Sequence, residues 1–256
     1  MTPRERISHS IRAACARGEP ALIAYLTAGF PAREKFREHL RAIAAVADVV
    51  EVGVPFTDPM ADGVTIQRAS LAALAQGVSL SWILAELEAL GEMRVPLLLM
   101  SYLNPLLAFG PTLAVRARGA GVAGFIVPDL PLDESSELRA ALDAEGLALV
   151  QMVTPVTEPE RLRQLCAGSQ GFVYAVTMTG TTGKNVAVPE DVVQYLERVR
   201  AAAALPVCAG FGIRSREQVA RLRGHVDGVV VGSALVEQLE RGADVSAWLR
   251  SLRPGT

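Results

Sequence analysis

The feature that most constrains the fold is a series of eight short apolar segments spread along the chain. Most are nearly continuous in apolar residues, which is typical of parallel strands buried on both faces. Segments with a helical pattern, rich in Ala and Arg, separate them. The strands are expected within ALIAYLTAG from Ala21, VVEVGVP from Val49, VPLLLMSY from Val95, GFIVPDLP from Gly124, LALVQMVTP from Leu147, GFVYAVTM from Gly171, LPVCAGFG from Leu205 and DGVVVGSA from Asp227.

Eight strand–helix units in 256 residues predict an α/β fold of the (β/α)8 TIM-barrel type, as one domain over residues 1–256. The segment up to Arg17 is expected to form an extra N-terminal helix that closes the barrel bottom. An extra helix is also expected after strand 2, because the stretch from Val64 to Leu90 breaks near Gly77. A doubly wound open sheet is the rival, but TAGFP after the first segment is no Gly-rich fingerprint.

Three local signals predict where helices begin. TEPE from Thr157 and SREQ from Ser215 have the pattern of capping boxes, with Glu160 and Gln218 at the third helical position. Pro189 suits the first turn of the helix EDVVQYLERVR.

Composition argues against several classes of function. Half of the residues are hydrophobic, 20% are charged and the formal net charge is −2, which disfavours disorder and nucleic-acid or anionic-membrane partners. The three cysteines and three histidines are dispersed without metal-ligand spacing. No segment resembles a secretory signal or a membrane span, so a cytoplasmic protein is expected.

Glu51 is the first candidate for chemistry, because it interrupts the apolar strand segment VVEVGV. Burial of a carboxylate among valines is unfavourable and raises its pKa toward the range useful for proton transfer. The alternative is a structural Glu satisfied by hydrogen bonds. Asp62 and Asp58 follow in the loop DPMADG, where Asp is also a common turn residue. In a barrel, Glu51 and this loop face one cavity at the C-terminal ends of the strands.

The seventh and eighth segments indicate a phosphate site. GFG, which ends at Gly212, and VGSA, which contains Gly232 and Ser233, lie where barrels of this kind usually bind phosphate. The alternative is a pair of tight turns without a ligand. The Gly- and Thr-rich stretch from Thr177 to Pro189 reads either as a lid whose Gly183 amide reaches the phosphate or as a plain surface loop.

Two kinds of aldolase chemistry lack their residues. A Schiff base needs a lysine at a strand end, and neither Lys35 nor Lys184 is so placed. Metal-dependent cleavage needs clustered ligands, and no His lies at a strand end. Acid–base chemistry on a phosphorylated small molecule remains.

Several motifs together resemble the tryptophan synthase alpha chain family. EVGVPFTDPMADG followed by TIQRAS is the most specific of them. The likeness extends over nearly the whole chain through YLTAGFP, MSYLNPL, GVAGFIVPDLPLDES, VTPVT, GFVYAVTMTGTTG, CAGFGI and VVVGSALV.

This resemblance implies a (β/α)8 barrel that cleaves indole-3-glycerol phosphate to indole and glyceraldehyde 3-phosphate, without metal or cofactor. Glu51 matches the family's general acid/base, and Asp62 matches the carboxylate that interacts with the indole N–H. Tyr174 matches a tyrosine near the catalytic Glu. The phosphate-binding set is matched by Gly183, Gly212, Gly232 and Ser233. The implied partner is a beta chain, in an alpha2beta2 assembly, which holds pyridoxal phosphate.

The chain departs from the family pattern in two loops through which the family senses its beta chain. The departures are Thr57, Met60, Val64, Thr177, Met178 and Thr181. Two alternatives therefore stand beside the alpha-subunit function: a stand-alone lyase and a non-catalytic regulatory barrel. A partner surface is expected at Asn104–Gly110 and Pro131–Ser136, where Leu106, Leu107 and Phe109 suggest either an apolar patch or a helix packed on the barrel.

Overall fold

The protein is described by a computed structural model that covers residues 1–177, 190–210 and 212–253. Eight parallel strands close into a barrel in chain order, and the last strand pairs with the first. The expected TIM barrel is therefore confirmed, and the open sheet is excluded. The strands are β1 Ala21–Thr27, β2 Val49–Gly53, β3 Leu97–Met100, β4 Val122–Ile126, β5 Ala148–Val153, β6 Val173–Val176, β7 Val207–Gly210 and β8 Gly228–Val231.

Helices surround the barrel and follow each strand. In the described part of the chain they are α1 Pro3–Ala16, α2 Phe36–Ala44, α3 Val64–Ala75, α4 Leu80–Leu90, α5 Leu103–Phe109, α6 Leu113–Gly119, α7 Ser136–Ala144, α8 Pro159–Gly168, α9 Glu190–Ala202, α10 Arg216–Leu222, α11 Ser233–Glu240 and α12 Val245–Ser251. Short 3-10 turns at Arg33–Lys35 and Leu132–Glu134 precede α2 and α7.

The apolar core has an inner and an outer part. Side chains on one face of each strand fill the barrel, and those on the other face pack against the surrounding helices. Ile7 and Ile11 of α1 are fully buried against the inner cluster. The extra N-terminal helix therefore closes one end of the barrel, as the sequence predicts, and leaves the opposite end open.

The second expected extra helix is also present. α3 and α4 both follow β2, and Gly77 between them has a φ of 74°, a left-handed conformation that favours glycine. Among the described residues, no single helix is long and apolar enough to cross a membrane; α3 and α4 reach that length only as a pair bent by 87°.

The helix-start signals had different outcomes. The capping box at Ser215 is present, with both hydrogen bonds to Gln218. The one expected at Thr157 is wrong. The helix α8 begins at Pro159, its N-cap residue is Glu158, and the Glu158 side chain makes no capping hydrogen bond. The Thr157 hydroxyl accepts the N–H of Thr154 instead, at 3.0 Å. Pro189 lies outside the described residues.

Candidate active site

Glu51 lies in the middle of β2 and points into the barrel. Strand side chains alternate between faces, so Glu51 shares the inward face of Val49, which belongs to the inner apolar cluster. The neighbours Val50 and Val52 point outward to the helices. The strand pattern alone therefore places this carboxyl group inside the barrel.

Glu51 is fully buried, and neither carboxyl oxygen has a hydrogen-bond partner among the described residues. Burial raises the pKa of Glu51 to about 8, because desolvation disfavours the ionised form. The side chain is thus largely protonated at neutral pH and able to donate a proton. The alternative of a structural Glu satisfied by protein hydrogen bonds lacks support in this geometry.

Asp62 lies in the loop between β2 and α3 and lines the same cavity as Glu51. Its burial raises the pKa to about 6, and a hydrogen bond from the Tyr102 hydroxyl acts in the opposite direction. Asp58 is exposed, accepts the Thr57 hydroxyl at 2.5 Å and does not line that cavity. Of these two acids, Asp62 therefore belongs to the cavity and Asp58 to the exposed surface of the loop.

Two tyrosines stand over the strand ends around Glu51. Tyr25 of β1 is paired with Glu51 in the strand register, and Tyr174 of β6 lies across the cavity. Both are buried, and desolvation together with the negative charge of Glu51 raises the pKa of each phenol. A Cβ on Gly53 would lie 2.1 Å from the Tyr25 hydroxyl, and one on Gly210 would lie 2.8 Å from the Tyr174 hydroxyl. The absence of a Cβ at Gly53 and Gly210 therefore leaves space for the two tyrosine rings.

The expected phosphate residues that the structure describes form a second wall of the same cavity, at the ends of β7 and β8. Gly212 follows β7 with a φ of 62°, a conformation that favours glycine. Gly232 precedes α11, and Ser233 is its first residue, so free N–H groups of a helix N-terminus lie at this wall. Gly183, Met178 and Thr181 lie outside the described residues.

The cavity has a volume of about 210 Å³. Acids occupy one side and the glycine turns another, while apolar side chains line the space between them. The apolar lining comes from Ile66, Met100, Met152, Val176 and Val230. Such a site fits a ligand with an apolar body and an anionic end.

The sequence did not single out Tyr25 or Tyr102. Both lie within motifs quoted above, YLTAGFP and MSYLNPL, at or next to strand ends. The rule that strand ends carry the site would have found them, had it been applied to tyrosines as well as acids and glycines. No group of three or more His, Cys, Asp or Glu side chains in the described ranges could hold a metal ion.

The expected partner segments lie side by side. α5 and the stretch before α7 border an apolar groove of about 360 Å³, which contains Leu103, Leu107, Leu130 and Leu138. Leu106 and Phe109 pack on the core, whereas Leu107 is 65% exposed. Leu106 and Phe109 thus fit a helix packed on the barrel, and Leu107 fits an exposed apolar patch on the same helix.

Comparison with known proteins gives a consistent result. The family model described as "Tryptophan synthase alpha chain" matches residues 11–250. The tryptophan synthase alpha chain of Nitratidesulfovibrio vulgaris (strain Hildenborough) is 45% identical over 249 residues, which is 96% of this chain and 97% of that protein. That of Carboxydothermus hydrogenoformans is 45% identical over 227 residues, 88% of this chain and 85% of its own length.

Solved structures agree with these relatives. A chain of Mycobacterium tuberculosis tryptophan synthase superposes with a TM-score of 0.88 at 37% identity, covering 96% of both chains. Tryptophan synthase subunit alpha from Legionella pneumophila gives a TM-score of 0.87 at 30% identity, covering 98% of this chain and 97% of that one. The protein described here therefore belongs to the tryptophan synthase alpha chain family.

Proposed function

We propose that Glu51 and Asp62 together perform the retro-aldol cleavage of indole-3-glycerol phosphate in the cavity at the open end of the barrel. As a member of its family, the chain is a lyase of tryptophan biosynthesis that forms indole and glyceraldehyde 3-phosphate. One observation supports the roles of Glu51 and Asp62 above the others. Glu51 is a fully buried carboxyl group that has no hydrogen-bond partner in the described part of the chain, and it lines a cavity that can hold the substrate.

Glu51 is proposed to protonate the ring carbon that bears the glycerol phosphate chain. Protonation of an aromatic carbon requires an acid that still holds its proton near neutral pH, and a pKa of about 8 meets that requirement. Asp62, with a pKa of about 6, is ionised at pH 7 and can accept a hydrogen bond from the indole N–H. The two environments separate the two pKa values and so assign an acid and a base.

Cleavage of the carbon–carbon bond between the ring and the side chain then follows. The side-chain hydroxyl next to the ring loses its proton to a carboxylate, and its oxygen becomes the aldehyde carbonyl. The bond between that carbon and the ring breaks, and its electron pair restores the aromatic indole. Tyr174 is proposed to pack beside Glu51 and help exclude water.

The phosphate is proposed to bind at Gly212, Gly232 and Ser233, with Gly183 as a further contact from the stretch outside the described residues. The free N–H groups at the start of α11 and its positive dipole end support this assignment. No cofactor takes part in the proposed steps. Pyridoxal phosphate is expected only in a beta chain.

A beta chain in an alpha2beta2 assembly is the proposed partner, docked at the open end of the barrel. Exposed apolar side chains in the loops there support this: Met60 is 91% exposed, Val64 80% and Val156 84%. Together with Leu107 they follow the C-terminal ends of β2, β3 and β5, at the end of the barrel where the cavity lies, a grouping expected of a surface that a partner covers. A cytoplasmic location is proposed with this assembly.

The deciding experiment is a lyase assay of the purified chain, alone and with a beta chain. Glyceraldehyde 3-phosphate release should be measurable alone, should rise with the beta chain, and should fall at least a hundredfold in Glu51→Gln while substrate still binds. Glu19→Gln, the same chemical change at the opposite end of the barrel, is the matched control and should keep the wild-type rate.

The three functional readings give different results in this assay. A wild type that forms no complex with a beta chain and gains no rate from it would be a stand-alone lyase. A wild type that binds substrate but never cleaves it, even with the partner, would be a regulatory barrel. Full activity of Glu51→Gln would refute the proposed acid.

A further inference from the structure

We propose that Tyr102 is a positioning residue that holds the Asp62 carboxylate in place and connects it to the groove beside α5. A partner seated in that groove would then alter the lyase rate through Tyr102. This inference rests on the proposed function, and it adds a route that enters the loop of Asp62 from the groove beside α5.

The hydroxyl end of Tyr102 meets the acid loop at two adjacent residues. It accepts the backbone N–H of Ala61 at 2.9 Å, and its hydrogen bonding to the adjacent Asp62 lowers the pKa of that carboxyl group. One phenol group thus fixes both the backbone of the loop and the charge it carries. Such a paired contact restricts the carboxylate more than a single hydrogen bond would.

The ring of Tyr102 holds the beginning of the same loop. It is buried and stacks on Phe56, with ring centroids 5.3 Å apart and planes inclined by 29°. Phe56 precedes the exposed residues 57 and 58, and Ala61 follows Met60, which is 91% exposed. Tyr102 therefore contacts the loop on both sides of its exposed part, at Phe56 through the ring and at Ala61 through the hydroxyl.

The backbone of Tyr102 belongs to the groove. Tyr102 immediately precedes α5, and its carbonyl accepts the Ser101 hydroxyl at 2.9 Å. The next residue, Leu103, lines the groove and donates its N–H to Asp129 Oδ1 at 2.9 Å. Leu130, which follows Asp129, lines the groove as well. A shift of α5 under a bound partner would move Tyr102 directly.

Other tyrosines face Asp62 but do not hold it. Tyr25 and Tyr174 are close enough for the Asp62 charge to raise the pKa of their phenols. Within the described residues, Tyr102 is the hydrogen-bond donor that acts on the Asp62 carboxylate. The positioning function therefore belongs to Tyr102 in particular.

Tyr102→Phe tests the positioning in the isolated chain, since it keeps the ring and removes the hydroxyl. The value of kcat/KM should fall about tenfold, the loss expected for one hydrogen bond to a charged group. The acid limb of its pH profile should move to higher pH, because the ionised Asp62 loses a donor. Tyr195→Phe is the matched control: it removes a buried hydroxyl that donates to the Val153 carbonyl at 2.8 Å, outside the cavity. It should leave rate and pH profile unchanged.

A double-mutant cycle separates this inference from the proposed function. Asp62→Asn should lower kcat/KM strongly, and Tyr102→Phe should add little to it, because both changes remove the same contact. If Asp62→Asn is silent, the proposed function of Asp62 fails. If Asp62→Asn is strong while Tyr102→Phe stays within twofold of wild type with an unmoved acid limb, Tyr102 is not a positioning residue.

The connection to the groove is tested with a beta chain. Saturating beta chain should raise the wild-type kcat/KM by several-fold, and the same saturation should raise that of Tyr102→Phe by less than twofold. Leu107→Ala removes an exposed apolar side chain from the groove and should weaken beta-chain binding. Equal stimulation of wild type and Tyr102→Phe, or none in wild type, would overturn the connection.

Discussion

Two buried carboxyl groups, one just before β2 and one in the middle of it, have opposite surroundings. Asp48 immediately precedes β2 and accepts the Leu22 N–H and Arg17 at 2.8 Å each, and Arg253 at 3.1 Å. Glu51, three residues later, has no hydrogen-bond partner among the described residues. The closed end of the barrel thus satisfies its acid with protein groups, whereas the acid toward the open end has none among the described residues and lines the cavity.

The contrast separates stability from activity along a single strand. A paired buried carboxylate holds distant segments together, and its loss leaves uncompensated charges. An unpaired one destabilises the fold and persists where chemistry requires a raised pKa. Position in the barrel agrees with this division, because sites of this fold lie at the carboxyl ends of the strands.

The largest expected effect is on catalysis at the open end. Glu51→Gln should lower kcat by about 10³-fold, roughly 4 kcal/mol, because the proton donor is lost. The variant should be at least as stable as wild type in denaturant titrations at pH 8, since it no longer buries an ionisable group. A large loss of stability would mean that Glu51 is structural after all.

The reverse outcome is expected at the closed end. Asp48→Ala should lower the free energy of unfolding by about 3–5 kcal/mol, because Arg17 and Arg253 lose their carboxylate partner. Lyase activity per folded molecule should remain that of wild type. Urea titration combined with activity below the transition checks both; a selective loss of kcat would break the comparison.

Glycine at the strand end offers a sharper test of the open end. In Gly53→Ala, the new Cβ would meet the Tyr25 hydroxyl, so the ring must move, at about 1–3 kcal/mol in stability and with a lower kcat/KM. Gly63→Ala is the control in the same loop region, because its Cβ would meet nothing within 4 Å. Equal behaviour of the two variants would show that Tyr25 placement is unimportant.

The smallest effects are those of pH. The kcat/KM profile should be bell-shaped, with an acid limb near pH 6 for Asp62, which must be ionised, and a basic limb near pH 8 for Glu51, which must be protonated. Each limb should change the rate about tenfold per pH unit, roughly 1.4 kcal/mol. Glu51→Asn or Gln should abolish the basic limb.

Stability should follow pH in a matching way. The folded pKa of Glu51 lies above its usual value of 4.5, so folded molecules bind more protons between the two pKa values. The stabilising effect is complete below about pH 4.5 and declines by at most about 1.4 kcal/mol per unit until about pH 8. The difference in stability between wild type and Glu51→Gln, measured from pH 5 to pH 8, should show this slope.

Local signals predicted some details and failed at others. The break at Gly77 and the capping box at Ser215 depend on nearby residues, and both are present. The capping box at Thr157 has an equally good pattern, but the hydroxyl bonds back to Thr154 and α8 starts at Pro159. A motif of four residues does not decide between such competing partners.

The sequence by itself determined the eight-stranded barrel, the inward direction of Glu51 and the end at which acids and glycines meet. These follow from periodicity and chain order, which are local properties. Only the tertiary structure decided that Asp48 is paired, that Glu51 has no hydrogen-bond partner over the ranges the structure describes, and that the Tyr102 hydroxyl contacts the loop of Asp62 at Ala61. The reason is physical: hydrogen-bond partners come from residues far apart in the chain, as Arg253 does for Asp48 across 205 positions. Burial raises the pKa of Glu51 to about 8, because desolvation disfavours its ionised form.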